Sequence, residues 1–140
     1  MVFSTKTFLR IGYVSQFYFA YMIAFNWEKH MEMNQIKNTE PLMTEETLLI
    51  SKWWALAVFT MGMANAAAAQ MDDDAQRKMC QYVGVPGWLG SAYLMLTPNE
   101  ALFHNTDAQR MQGYVFAALG LCMLYTLYGN GSSDGKAKKK

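Results

Sequence analysis

Four long stretches of the chain contain no charged side chain, and the charged residues are gathered between them. These charge-free stretches are residues 11–27, 53–71, 79–99 and 111–133. A helix needs about 20 predominantly apolar residues to cross a bilayer core of about 30 Å, and each stretch is close to that length. The pattern therefore predicts membrane-spanning helices at about 8–27, 47–71, 76–96 and 107–128.

A soluble four-helix bundle is the alternative interpretation of the same pattern. In such a bundle each helix carries one apolar stripe and one charged face with a period near 3.6 residues. The segment from Tyr114 to Tyr128 has no charged face. The mean hydropathy of −0.03 is low for a membrane protein, because Gln16, Asn65 and Gln81 fall within the predicted spans. We favour an all-α fold, a four-helix transmembrane bundle.

Helix start signals support the same spans independently of hydropathy. Thr44 is followed by two glutamates, which predicts an N-cap and a helix that begins near residue 45. The second helix is expected to end near Met71, since the Asp72–Asp74 run can cap the next helix after a tight turn. In the third helix, Pro86 and Gly87 remove one backbone hydrogen bond and predict a kink.

The chain between the third and fourth spans carries two capping boxes, and its C-terminus is a lysine-rich tail. Thr97-Pro98-Asn99-Glu100 and Thr106-Asp107-Ala108-Gln109 each begin with a threonine that can cap a helix. They predict a short interfacial helix at about 98–105 before the fourth span. We expect one helical domain over residues 1–131, and a flexible tail over 132–140.

The basic residues of the connecting segments predict the orientation. One side of the predicted bundle would carry eight of them, Lys6, Arg10, Arg77, Lys78, Lys136, Lys138, Lys139 and Lys140. The other side would carry four, Lys29, Lys37, Lys52 and Arg110. Short loops rich in Lys and Arg stay on the cytoplasmic side, so both termini are predicted there.

Two histidines are the candidates for binding a metal, haem or pigment. His30 follows the first span and His104 precedes the fourth, so both lie on the same predicted side. Glu100 is four residues before His104, and Glu28 or Glu32 could complete a carboxylate and imidazole set. The spacing matches no known ligand signature, and we interpret these residues instead as solvated interfacial side chains. We predict no metal site and no cofactor from motifs.

No segment carries the signature of a catalytic site or of a nucleic-acid-binding surface. A Ser or Cys flanked by glycines, a phosphate loop and a dinucleotide fingerprint are all missing from the sequence. The net charge is +1 and the only basic cluster is the C-terminal tail. We therefore expect a protein that is not an enzyme and does not bind nucleic acid.

Small residues four positions apart predict close contacts between helices, because they let helix backbones approach in lipid. The pairs are Gly62 with Ala66, Gly87 with Ser91, and Gly113 with Ala117.

The polar and aromatic residues of the spans favour contact with other subunits. Gln16 and Asn65 would be costly facing lipid, and four short helices offer little interior to cover them. Trp53 and Trp54 suit the membrane interface and could also contact a partner. We list these four residues as candidates for contact with other integral membrane subunits or with lipid.

These observations favour a non-catalytic accessory or scaffold subunit of a larger membrane complex, such as a respiratory or photosynthetic assembly of the mitochondrial inner or thylakoid membrane. The first alternative is a scaffold of the endoplasmic reticulum, because the tail Lys136-Ala137-Lys138-Lys139-Lys140 fits a dilysine retrieval signal. In length, number of spans and basic tail, the chain is similar in outline to the small sterol-biosynthesis scaffold proteins of that membrane. The second alternative is a cofactor- or metal-binding membrane protein that uses His30 and His104.

Overall fold

The computed structural model describes residues 4–34, 36, 39–40, 43–97 and 106–129. The regular elements in that part of the chain are all helical, which confirms the all-α class. They are α1 (Thr5–Phe25), α2 (Trp27–Met33), α3 (Glu45–Ala68), α4 (Asp73–Met79), a π-helical turn (Cys80–Gly84), α5 (Val85–Leu96), α6 (Thr106–Leu124) and a second π-helical turn (Tyr125–Gly129).

Three helices begin at a polar residue whose side chain caps the first turn. Ser4, Thr44 and Asp72 each accept a hydrogen bond from the backbone N–H three residues later, at 3.2, 3.2 and 2.9 Å. Such a bond satisfies one of the backbone donors that a helix start leaves unpaired. Thr44 and Asp72 were the predicted caps, and α3 begins at Glu45 as expected.

Two helix ends differ from the prediction. The first span was expected to reach residue 27, but α1 ends at Phe25 because Asn26 has φ −136° and ψ 46°, outside the helical region. The separate helix α2 follows it. The second span was expected to end near Met71, whereas α3 ends at Ala68.

The irregularity expected at Pro86 and Gly87 occurs one turn earlier, as the first π-helical turn. The backbone N–H of Val85 donates to the carbonyl of Cys80, five residues back instead of four. Pro86 lies in the first turn of α5, directly after the π-helical turn, and its missing N–H leaves that preceding turn one backbone donor short.

The helices pack as two pairs, α1 against α3 and α5 against α6. Glycines allow the close approach in both pairs. A Cβ on Gly62 of α3 would lie 2.7 Å from a ring carbon of Phe17 in α1. A Cβ on Gly113 of α6 would lie 2.8 Å from Cγ of Leu96 and 3.1 Å from its backbone nitrogen.

The two pairs meet at one end of the molecule, where the main cluster of buried apolar residues lies. That cluster consists of Phe8, Leu9, Ala68, Ala69, Cys80, Met123 and Leu127. Thr5 donates to Oε1 of Gln76 at 3.3 Å, and the Arg77 guanidinium donates to the carbonyl of Leu127. The start of α1, the turn after α3 and the end of α6 therefore lie together, on the end expected to carry both termini.

Two of the four predicted spans coincide with helices long and apolar enough to cross a membrane. Among the described residues these are Glu45–Ala68 and Thr106–Gly129. The other two predicted spans do not reach that standard. Tyrosines and Gln16 make α1 only weakly apolar, and the π-helical turn divides the helical run from Asp73 to Leu96. The structure therefore supports a helical protein with two candidate membrane spans, and it does not confirm a four-span bundle.

Several predictions fall on parts of the chain outside the described residues. They are the short interfacial helix at 98–105, the carboxylate Glu100, the second histidine His104 and the lysine-rich tail at 132–140.

Candidate functional site

A cavity of about 370 Å³ lies between the α1–α3 pair and the α5–α6 pair. One wall is formed by α1 and α3, and the other by α5, α6 and the end of the first π-helical turn. Phe8 and Met123, which are both fully buried, close the cavity at the end where the two pairs meet. His30 and Asn34 lie at its other end.

Aromatic rings supply much of the lining. Phe19 of α1 and Trp54 of α3 face the cavity from one wall, and Trp88 of α5 and Phe116 of α6 from the other. The rings of Trp88 and Phe116 are in contact, with centroids 5.4 Å apart and planes inclined by 56°. No Asp, Glu, Lys or Arg lines this cavity among the residues that the structure describes. The lining therefore suits a neutral, largely apolar molecule.

Two amide side chains form the polar centre of the cavity wall. Asn65 of α3 donates from Nδ2 to Oε1 of Gln16 in α1, at 2.8 Å. Asn65 is only 5% exposed, and its Oδ1 has no hydrogen-bond partner in the described part of the chain. Gly12 makes room for the amide, since a Cβ there would lie 3.2 Å from Nδ2. Oδ1 is closed off from the cavity as well as from solvent, so its unpaired burial is a cost that the packing of α3 on α1 carries.

The histidine end of the cavity is held by aromatic and amide contacts. The ring of His30 stacks on Trp27 at 5.7 Å and meets the edge of Phe19 at 6.3 Å. Nδ2 of Asn34 lies 3.5 Å from Nε2 of His30. Burial disfavours the charged ring and lowers the pKa of His30, so the imidazole is neutral near pH 7. The backbone carbonyl of Asn34 accepts a hydrogen bond from Nε2 of the buried Gln109, at 2.6 Å.

The structure places three of the four candidate partner-contact residues on the cavity. Gln16, Asn65 and Trp54 line it, although Trp54 is also 62% exposed. Trp53 is 67% exposed. The chain thus covers its own buried amides, so the argument for a partner now depends on the outward surface of α3.

Of the residues predicted to pack helices together, some lie at helix contacts and others line the cavity. Gly62 and Gly113 lie at close helix contacts. Gly87 departs from the expectation, because a Cβ there would meet nothing within 4 Å. Gly87 and Ser91 instead line the cavity. Ala66 and Ala117 are partly buried.

The hypothesis that His30 and His104 together bind a metal or cofactor involves a residue, His104, that lies outside the described residues. Within the described ranges, no group of three or more His, Cys, Asp or Glu side chains could hold a metal ion. Glu28 and Glu32 are exposed, while His30 contacts aromatic rings. The surroundings of His30 are those of a neutral ring in a cavity wall.

Sequence reasoning missed much of the cavity wall, including Trp88, Gln112 and Phe116, and also Gln109, which donates to the carbonyl of Asn34 beside it. Gln112 and Phe116 are four residues apart, so they share one face of α6. A polar residue followed at this spacing by an aromatic one, within a charge-free stretch, was the available signal. It does not by itself distinguish a cavity wall from an ordinary packing face.

No protein-family model, curated protein or solved structure matches the chain. The described part of the chain is all-helical, and two of its helices are long and apolar enough to cross a membrane.

Proposed function

We propose that the chain is a non-catalytic accessory or scaffold subunit of a larger membrane assembly. Its apolar helices would hold it in the bilayer, and one face of α3 would pack against a helix of a partner subunit. The observation that carries the proposal is the composition of that face.

The bilayer location is supported by how little of the two apolar helices is buried within the chain. In their most apolar 18-residue windows, 17% of the residues of Glu45–Ala68 and 28% of those of Thr106–Gly129 are buried. The core helix of a soluble bundle buries its apolar residues against its neighbours. Here most of them face outward, where lipid or another protein would have to cover them.

The outward face of α3 combines one tryptophan with a row of small residues. This outer face is formed by Trp53, Ala57, Thr60, Ala64 and Ala67, all of them exposed. Their spacing alternates between four and three residues, so they lie along one side of the helix. The buried residues Ser51, Gly62 and Asn65 lie on the side that packs against α1.

A row of small residues favours a helix as the neighbour over lipid chains. Small side chains let two helix backbones approach closely, and the close packing supplies attraction that lipid cannot. Thr60 adds no unpaired polar group, because its hydroxyl donates to the carbonyl of Leu56 at 2.8 Å. The larger neighbours Leu56 and Met63 are exposed along one flank of the row and could pack against an incoming helix.

The membrane of residence is part of the proposal. We favour the mitochondrial inner or the thylakoid membrane, since a weakly apolar first helix suits a subunit of an energy-transducing complex. A scaffold of the endoplasmic reticulum is the alternative, supported by the C-terminal lysines. Native purification from fractionated membranes distinguishes these locations.

The test is co-migration of the full-length chain with a larger complex after mild solubilisation. We expect Ala57→Leu and Ala64→Leu to release the chain from that complex, because a larger side chain on the outer face keeps the two backbones apart. Ala118→Leu is the matched control, as Ala118 is an exposed alanine on α6. This variant should stay in the complex.

Two results would refute the accessory role. One is migration of the wild-type chain alone after every mild solubilisation. The other is co-migration of both outer-face variants to the same extent as Ala118→Leu. Extraction of the native protein by carbonate without detergent would refute the membrane location itself.

A further inference from the structure

The interior cavity is large enough to hold a molecule with more than one ring. Its volume is about 370 Å³. An apolar cavity of about 150 Å³ holds one benzene ring, so this cavity has room for two rings. It is a separate feature from the outer face of α3, since it lies between the two helix pairs. Nothing in the accessory role accounts for it.

The wall of the cavity offers no partner for a charged molecule. It contains no Asp, Glu, Lys or Arg among the described residues. Burial lowers the pKa of His30, so its imidazole is neutral near pH 7. The amide of Asn65 is bonded to Gln16 through Nδ2, and its Oδ1 is closed off from the cavity. A charged molecule would leave water without gaining a partner, so the wall favours a neutral one.

Aromatic rings on both walls favour a ring over a lipid acyl chain as the occupant. Phe19 and Trp54 line one wall, and Trp88 and Phe116 line the other. The rings of Trp88 and Phe116 have centroids 5.4 Å apart, so they form one continuous aromatic surface. Aromatic rings in contact attract each other beyond the burial of their apolar area, an attraction that a saturated chain does not share.

The entrance to the cavity lies on the sides of helices. Trp54 and Gly87 line the cavity and are also exposed, and each lies within a helical run away from the connecting segments. If the chain is embedded in a bilayer, as proposed above, such an opening faces the lipid. A lipid-soluble molecule could then enter sideways.

We propose that the cavity binds an uncharged, lipid-soluble molecule with aromatic rings, which lie between the aromatic side chains of the two walls. The cavity selects this ligand by its volume, its lack of charge and its ring faces. This inference rests on the proposed membrane location, and it does not depend on the identity of any partner subunit.

The test uses the purified full-length chain in lipid nanodiscs and three photoreactive probes at equal concentration in the bilayer. They are a biphenyl that carries a diazirine, the carboxylate derivative of that biphenyl, and a straight-chain alkyl diazirine of the same length. Mass spectrometry identifies the labelled peptides. The neutral biphenyl should label the segments around Trp88 and Phe116 saturably, with competition by excess unlabelled biphenyl.

The other two probes test charge and shape separately. The carboxylate should bind about tenfold more weakly than the neutral biphenyl, because the wall cannot pair its charge. The straight-chain probe should bind about fivefold more weakly, because it lacks the ring faces.

Two variants and a control test the location. Gly87→Leu should weaken binding of the biphenyl about tenfold, since the new side chain enters the cavity where a Cβ meets no other atom within 4 Å. Phe116→Leu should weaken the biphenyl about threefold and leave the straight-chain probe unchanged, because it removes one ring face. Gly90→Leu is the control for the first variant, because Gly90 also has no neighbour within 4 Å but does not line the cavity. Its binding should match the wild type.

Three outcomes would overturn the proposal. They are labelling confined to outward faces and not competed by unlabelled biphenyl, equal binding of the straight-chain probe, which would make a lipid acyl chain the occupant, and normal binding by Gly87→Leu. Ala64→Leu should keep wild-type labelling, because Ala64 lies on the outer face. A failure of ligand binding is therefore distinguishable from a failure of the accessory role, which is measured by co-migration.

Discussion

Alanine substitutions at two glycines should change stability in opposite directions, although both glycines lie in helices of the same pair. Gly113 of α6 is buried against α5, and Gly90 of α5 is exposed. Alanine is the better helix former, so each substitution begins with a gain of about 0.5–1 kcal/mol in the free energy of unfolding. What differs is the space that the new methyl group enters.

At Gly113 the added methyl group would lie 2.8 Å from Cγ of Leu96, 3.0 Å from its Cδ2 and 3.1 Å from its backbone nitrogen. A side chain can rotate away, but the backbone nitrogen moves only if α5 and α6 separate. Overpacking of this kind costs about 1–3 kcal/mol. Subtracting the gain in helix propensity leaves Gly113→Ala about 1 kcal/mol less stable than the wild type. Gly90→Ala meets nothing within 4 Å and should keep the full gain.

The assay is reversible unfolding of the purified chain in mixed micelles by titration with a denaturing detergent, followed by far-UV circular dichroism. The expected separation between the two variants is about 2 kcal/mol, of which Gly90→Ala contributes a gain and Gly113→Ala a loss. If Gly113→Ala proves as stable as Gly90→Ala, α5 and α6 do not approach as closely at this position as the structure shows.

Three further predictions concern single side chains. Thr44→Ala should lower the stability of the first turn of α3 by about 1 kcal/mol, seen as faster amide exchange at Thr47. Arg77→Met should speed amide hydrogen exchange in the second π-helical turn, because the Leu127 carbonyl loses its donor. The free energy of unfolding should be highest above pH about 6.5 and should fall as the pH drops through the lowered pKa of His30, since the unfolded chain then binds more protons than the folded one. In His30→Gln this pH dependence should disappear.

The features that sequence reasoning predicted correctly are those that depend on neighbouring residues. A helix start needs only a polar side chain within reach of a backbone N–H three residues later, so Thr44 and Asp72 were recognisable. The end of α1 at Phe25 has no comparable local signal. Asn26 leaves the helical region inside the charge-free stretch 11–27, and a pattern of charges cannot detect it.

The cavity could not be predicted, because it depends on how two helix pairs are placed. Asn65 and Gln16 are 49 residues apart, and only the packing of α3 on α1 brings their amides to 2.8 Å. The sequence showed that these amides needed cover and suggested a partner as its source. Gly87 illustrates the same limit, since its spacing from Ser91 is equally compatible with a helix contact and with the cavity wall that the structure shows.

Asn65→Leu should leave the protein without added ligand at least as stable as the wild type. The substitution removes one neutral hydrogen bond, worth about 1 kcal/mol, but it also removes a buried carbonyl oxygen whose unpaired burial costs about 1–3 kcal/mol. Leucine is larger than asparagine, but Asn65 borders the cavity, and the half-buried Gln16 can turn its amide toward the open part of the cavity. The expected change in unfolding free energy is between about 0 and +2 kcal/mol. A gain would show that the unpaired burial of Oδ1 costs more free energy than the hydrogen bond to Gln16 contributes. Detergent-titrated unfolding measures the change, and a loss of more than about 1 kcal/mol would show that Oδ1 already has a partner within the chain.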